Sequence, residues 1–467
     1  MSNEHPFQSL FESFGHLPIA RADAVNRQAY ENLHDILAVP VEKPGRCILL
    51  RAPRAGHGKT HLLTRIQHHL GASHEFIPLH AAHGSQIDAA TVIDDALSRL
   101  LRPLPGSGGL CVLDVVVRRL FALALQPLVT AGEVPCQDCD GAVSALRTRP
   151  IEIFDFHHPN AVTAHWARDN FEVLGQRFSL ELAHRCDLPI REVAFWVEAL
   201  FQFVTAPVEN PMRHRVLSEA VHGQHSGDAR VLERLEALLG LLGLLMRVVL
   251  VADNLEGFSA DETAALKLAA FMGALRQSVE RLDIILSLNQ DIWQNAFLPR
   301  LSDGLTDRLT EVVIELKPLS ENEMLALLES RAPGLGTRLL AHVDHAAAVT
   351  HARGLMRAAG VAWLRASAMA APPPASHALE VIPEIPAPQP APPPPEVARD
   401  TAFHAATVNE PHAGIPVPVS APPSAVPEGA AAAFPPESAE NPSEVLDTDR
   451  VDGLLRQFLE RYGRGSQ

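Results

Sequence analysis

The segment Ala55-Gly56-His57-Gly58-Lys59-Thr60-His61 sets two glycines, a lysine and a hydroxyl residue at the spacing of a phosphate cradle. Glycines let successive backbone N–H groups turn inward around an anion, and a helix that starts there adds partial positive charge. In such a loop Lys59 reaches the β- and γ-phosphates of a nucleoside triphosphate, and the Thr60 hydroxyl takes one position on Mg2+. A second metal residue is expected at Asp253, the acid that closes the apolar run Val248-Val249-Leu250-Val251-Ala252. Asn254 comes next, with Glu256 two positions further. Either Glu256 polarises the lytic water, or hydrolysis is slow and nucleotide state serves as a switch. Asn289 closes another apolar run, where it would bridge the γ-phosphate and that water.

Elements of three kinds must position these groups. A short strand, Cys47-Ile48-Leu49-Leu50, precedes the loop, and a helix with Leu62, Leu63, Ile66 and Leu70 on one face follows it, stopped by Gly71. The usual loop pattern begins with Gly where this chain has Pro53. The Asp253 run is continuously apolar, as in a parallel strand covered on both faces, and it delivers its acid at the carboxyl end. Ser259 and Glu262 have capping-box spacing ahead of a helix through Leu266, Ala269, Phe271 and Leu275. The strand Ile284-Ile285-Leu286-Ser287-Leu288 then leads to Asn289. Glu75–Leu79 reads as a further strand and Ala89–Leu101 as a helix.

Arg308 follows a helical stretch in Leu305-Thr306-Asp307-Arg308-Leu309, where it would be presented to a neighbouring subunit's nucleotide; Arg300 is the second choice. From Ser320 onwards the pattern is a small helical lid, with Met324, Leu325, Leu327 and Leu328 on an apolar face and Gly354-Leu355-Met356-Arg357 near its end.

In this order the motifs resemble those of AAA+ ATPases, in style the origin-recognition, DnaA-like and STAND branches and the related KAP-type NTPases. The resemblance rests on Gly58-Lys59-Thr60, Asp253, Asn289, Arg308 and Arg357 and covers roughly residues 1–105 and 240–368. It implies ATP and Mg2+ as cofactors, and an α/β fold: a doubly wound parallel-sheet P-loop core with a helical lid. It also implies a Walker B role for Asp253, a sensor-1 role for Asn289, an arginine-finger role for Arg308, a sensor-2 role for Arg357, and frequent ring or filament assembly.

The 467 residues suffice for two or three domains. We divide them into a core of 1–104 and 227–318, a mainly helical insertion of 105–226, a lid of 319–368, a Pro/Ala-rich linker of 369–443 and an amphipathic helix of 444–467. The formal net charge of −16 disfavours a dedicated nucleic-acid partner, because non-specific binding to phosphate backbones rests on Lys and Arg. Five cysteines in so long a chain are no disulfide scaffold, and the first residues lack the basic and apolar regions of a signal peptide, so a cytoplasmic location is expected. Ala237–Met246 is too short to span a bilayer, and Leu110–Val129 is interrupted by Asp114, Arg118 and Arg119; no membrane segment is expected.

Within the insertion, Asp187-Leu188-Pro189 opens a helix carrying Val193, Phe195, Trp196, Val197, Leu200 and Phe201. With Leu180–Cys186 it faintly resembles a helix-turn-helix, but its exposed positions lack the polar residues of a recognition helix, which favours core packing or a protein-binding face. Cys136 and Cys139 have a zinc-like spacing, but His157 and His158 are adjacent rather than at ligand spacing, and a polar loop is the better account.

From Ala371 to Ser443 lie more than half of the 38 prolines and almost no aromatics, a composition expected to stay disordered or partly polyproline II. Beyond it Val451, Leu454, Leu455, Phe458, Leu459 and Tyr462 recur at helical spacing. Such a tethered helix is expected to dock into a partner's groove or back onto its own domain; intermolecular docking is preferred, on a protein partner or within a homo-oligomer. The function expected is that of an ATPase coupling Mg-ATP binding and hydrolysis to assembly or partner engagement. The alternatives are a DNA-associated initiator or loader, and a nucleotide-gated scaffold with little hydrolysis.

Overall fold

Five short apolar runs form one all-parallel sheet. The computed structural model describes residues 5–370 apart from 9, 16–21, 82–85, 135, 211, 223–227 and 344–350. The linker and the amphipathic helix expected over 369–443 and 444–467 therefore lie, but for the last residues of the helix Ala352–Ala370, outside the described residues.

The strands are β1 (Cys47–Ala52), β2 (His74–Leu79), β3 (Arg247–Ala252), β4 (Leu282–Asn289) and β5 (Val312–Glu315), in the spatial order β2-β3-β4-β1-β5. The central three carry almost nothing but aliphatic residues because both faces of the sheet are covered. Alternation sends Ile48, Leu50, Val249, Val251 and Ile285 to one face, against the helices Arg27–Leu37 and Lys59–Leu70. Leu49, Leu250, Ile284 and Leu286 face the other side, where the helices Ala89–Leu100, Asp228–Gly243 and Glu262–Ser278 pack.

Among the described residues the stretch from Val112 to Thr205 is mainly helical, yet it is no separate module. Its helices, among them Val112–Thr130, Phe171–Cys186 and Ile190–Thr205, bury their apolar faces in the same continuous core as the sheet's second face. Phe121, Phe154, Phe156, Phe171, Phe178 and Phe201 cluster at its centre, and Trp196 is fully buried with Nε1 donating to the Arg234 carbonyl at 2.7 Å. The Trp/Phe helix thus packs a core, one of the two readings its sequence favoured.

One buried ion pair ties the amino ends of the strands together. Arg247 at the start of β3 donates to Asp283 Oδ2 at 2.7 Å and to the carbonyls of Pro40 and Lys43, while Asp283 Oδ1 accepts the Arg46 N–H at 2.9 Å. Burial pushes the Asp283 carboxyl up, against the pull of Arg247.

Residues from 319–343 and 352–362 form a third, smaller core with the amino-terminal segment. Leu327, Leu328, Leu339, Leu355, Met356 and Ala359 pack on Phe7, Ala22 and Val25. Ser320 caps the helix Glu321–Arg331 through a complete capping box with Glu323. The capping box expected of Ser259 and Glu262 is not formed: Asp261 caps the helix Glu262–Ser278, and Ser259 instead bonds the Glu256 carbonyl within a short 3-10 turn. An acid directly before the helix outcompetes a hydroxyl held two residues upstream. Among the described residues no helix is long and apolar enough to cross a membrane.

Candidate functional site

The loop between β1 and the helix Lys59–Leu70 is shaped by two glycines in the left-handed region, Gly56 at φ +93° and Gly58 at φ +91°. Gly58 caps the helix, so Lys59 and Thr60 are its first residues and the loop's amides gather at its amino end. Because β4 lies between β1 and β3, its tip stands between the loop and the end of β3. Register pairs Ala52, the last residue of β1, with Asn289, the last of β4.

Five of the expected residues meet there. Lys59 Nζ donates to Asn289 Oδ1 at 2.6 Å, and Thr60 Oγ1 donates to Asp253 Oδ2 at 2.6 Å. Asp253 is also held from β4, where Ser287 Oγ donates to its Oδ1 at 2.6 Å. Glu256 completes the chain, its Oε1 accepting from Asn289 Nδ2 at 3.4 Å. Lys59 is only 8% exposed, and burial lowers its ammonium below the ordinary value against the pull of Asp253 and Glu256. Asn254 sits exposed beside Asp253 with φ +58°, which turns the chain out of the strand into the 3-10 turn that carries Glu256.

A cleft opens over these groups and continues towards the third core. Ala55, Gly56, Gly58, Lys59, Thr60, His61, Asp253, Asn254 and Glu256 line its polar end. The other end is apolar, with Leu10, Val25, Leu327 and Met356. At that end Glu12 reaches His61 Nδ1 at 2.9 Å and Arg331 at 3.5 Å. His57 is absent from the cleft wall. Its ring bonds the Arg54 carbonyl at 2.9 Å and stacks on His351, centroids 5.4 Å apart, and its carbonyl accepts from Asn26 Nδ2 at 2.9 Å. Burial lowers both the His57 and the His351 imidazole below the usual range.

The expected arginines stand elsewhere. Arg308 lies in the last turn of the helix Asp303–Leu309, just before β5 begins at the sheet's amino edge, and donates to Gln277 Oε1 at 3.1 Å. Arg300 pairs with Glu262. Arg357 is exposed and does not line the cleft. Arg353, one turn earlier on the same helix, does line it, and its backbone N–H donates to the Gly56 carbonyl at 3.1 Å.

Sequence reasoning missed Ser287, Asn26, Glu12, Arg331, His351 and Arg353. Ser287 had a signal, being the polar residue inside an otherwise apolar strand and two positions, hence one pleat repeat, from Asn289. The others had none, since they come from segments far apart in the chain.

The donor set fits a triphosphate with a hard divalent cation. A buried ammonium, a capped helix start and left-handed glycines present positive charge and N–H groups, and a hydroxyl beside a carboxylate supplies the oxygen ligands such a cation takes. No protein-family model matches the chain, and no curated protein matches it significantly.

Proposed function

We propose that this chain is a P-loop ATPase of the AAA+ type, in which ATP and Mg2+ bound at the Gly56–Thr60 loop govern assembly or the engagement of a protein partner. One observation carries the reading. The first two residues of a glycine-capped helix meet two neighbouring strand tips, Lys59 at Asn289 and Thr60 at Asp253. An all-parallel sheet with the site at its carboxyl edge supports it, because ligands of open α/β sheets bind there.

Lys59 would exchange its bond to Asn289 for phosphate oxygens, and the loop's N–H groups would bind the rest of the phosphate chain. Thr60 and Asp253 are the residues to hold magnesium, with Ser287 fixing the carboxylate's second oxygen. Magnesium, when bound, supplies Lewis-acid polarisation of the phosphoryl oxygens. Asn289, released by Lys59, would orient a water, and Glu256 beside it would accept that water's proton. Arg353 would bring positive charge from the helical lid. Arg308 faces away from this site within its own chain, which suits an arginine offered to a neighbouring subunit.

A second reading, a nucleotide-gated scaffold that scarcely hydrolyses, is favoured by one feature. The residue directly after Asp253 is an exposed asparagine, and the carboxylate available, Glu256, stands on a turn with its contact to Asn289 at 3.4 Å.

Calorimetric titration of the full chain with ATP and magnesium tests the proposal. Binding heat is expected for the native protein and is expected to vanish in Lys59→Ala; a native protein that gives none overturns both readings. Single-turnover hydrolysis compared between native and Glu256→Gln protein separates them, since only the first reading expects a loss.

A further inference from the structure

We propose that Cys136 and Cys139 form a reversible dithiol–disulfide site that exchanges with small disulfides of the glutathione class.

Of the five cysteines, Cys47 and Cys111 are buried and Cys186 is half-buried. Cys47 lies in β1, Cys111 caps the helix Val112–Thr130, and Cys186 ends the helix Phe171–Cys186. Burial pushes their thiols up to about 12, about 11 and about 12. The other two occupy a surface loop between helices. Cys139 is exposed, Cys136 is partly so, and their sulfurs face each other 2.6 Å apart.

The loop is built to hold them so. Cys139 is the first residue of the helix Cys139–Thr148, and Asp138 caps that helix by accepting the Gly141 N–H at 2.8 Å. On the other side Val134 is buried in the core and Glu133 pairs with Arg177 on the helix Phe171–Cys186. Both flanks are therefore anchored, and the two thiols meet without chain movement.

Metal ligation is the competing use of this spacing. Among the described residues no group of three or more His, Cys, Asp and Glu side chains is placed to hold an ion. His157 and His158 instead serve their own turn, the His157 N–H donating to Asp155 Oδ1 and His158 Nδ1 accepting the Asn160 N–H. Two sulfurs with no further ligand suit covalent exchange better than a closed tetrahedral site.

The two thiols differ in role. Cys139, the exposed one, attacks a sulfur of the small disulfide as thiolate; a protein–glutathione bond forms, and the first glutathione leaves with the electron pair and takes a proton. Cys136, raised to about 11 by burial and by its bond to Cys139, resolves this adduct. It gives its proton to solvent and attacks the Cys139 sulfur, and the second glutathione leaves. The protein loses two protons and two electrons, and one oxidised glutathione becomes two reduced ones.

The test equilibrates the full chain across ratios of reduced to oxidised glutathione, blocks free thiols, and reads intact and peptide masses. Loss of both labels from the peptide holding Cys136 and Cys139, with a mass lower by two hydrogens and full reversal by reductant, is expected. Cys136→Ser is expected to trap one glutathione on Cys139, whereas Cys139→Ser leaves Cys136 almost unmodified. Free thiols at every ratio, oxidation at Cys47, Cys111 or Cys186 instead, or equal adducts in the two single variants would each overturn the proposal. None of these readouts depends on nucleotide.

Discussion

Arg353 and Gly56 join the lid helix to the glycine loop: the Arg353 N–H donates to the Gly56 carbonyl at 3.1 Å. A Cβ added to Gly56 would stand 2.9 Å from the Arg353 Cβ and 2.9 Å from His351 Nδ1. The contact is thus backbone to backbone, and it leaves no room for a side chain. A glycine that supplies a φ of +93° also lets the lid approach.

Gly56→Ala therefore meets two obstacles, a left-handed backbone and occupied space. We expect a loss of about 1–3 kcal/mol in stability, read by denaturant unfolding, together with weaker ATP binding. Unchanged stability and affinity would show that the loop and lid are not held together as described.

Arg353→Ala and Arg357→Ala separate two neighbours on one helix. A charged hydrogen bond to a phosphate is worth about 1.5–3 kcal/mol, so Arg353→Ala should weaken ATP binding by roughly 10- to 100-fold. Arg357 is exposed and off the cleft, and its replacement should leave affinity within about twofold. Fluorescent-nucleotide titration checks both, and the reverse ranking would return the lid arginine to position 357.

Ser287→Ala removes one of two hydroxyls that fix Asp253. A single neutral hydrogen bond nets about 0.5–1.5 kcal/mol, so the expected effect on steady-state hydrolysis is a few-fold to about tenfold. Asp253→Asn should cost far more, because it removes a charge from the cation's shell. Equal losses in the two variants would mean that Ser287 itself contacts the ligand.

The His57–His351 stack makes the lid contact acid-sensitive. Burial first, and then His351, Arg54 and Lys59 for His57, and Arg54, Arg353 and Arg357 for His351, hold both rings below their usual 6.5 against the pull of the Arg54 and Gly56 backbone. Well above pH 6.5 both rings are neutral whether docked or released, and the contact keeps its full stability. As pH falls below that value the released rings bind protons that the docked rings refuse, and the contact weakens. Hydrogen exchange at the Arg353 amide, corrected for its intrinsic rate, should accelerate between about pH 7 and about pH 5.5, and His351→Phe should remove most of that change. Protection independent of pH in the native protein would refute the coupling.

Much of the sheet is legible in the order of residues, for a local reason. Cys47–Leu50, Val248–Ala252 and Ile284–Leu288 are buried on both faces, so each is apolar almost throughout, and the last two run directly into a polar residue, Asp253 and Asn289. Helix starts are less secure: Ser259 and Asp261 both qualify as caps, and only the chain's path out of the 3-10 turn selects Asp261. That the helices from Val112 to Thr205 share the main core is not legible, because an apolar helix face carries no mark of the surface that will cover it.

The amino-acid sequence by itself determined the glycine loop, the helix it starts, and the acid and amide at two strand ends, since each depends on neighbours a few positions away. Only the tertiary structure decided that β4 runs between β1 and β3, which brings Asn289 to Lys59 across 230 residues of chain. It also decided that Arg353 rather than Arg357 meets the cleft. The lid helix is fixed along its axis by the docking of its first turn on Gly56, and one turn, about 5.4 Å, carries an arginine from the site to the solvent.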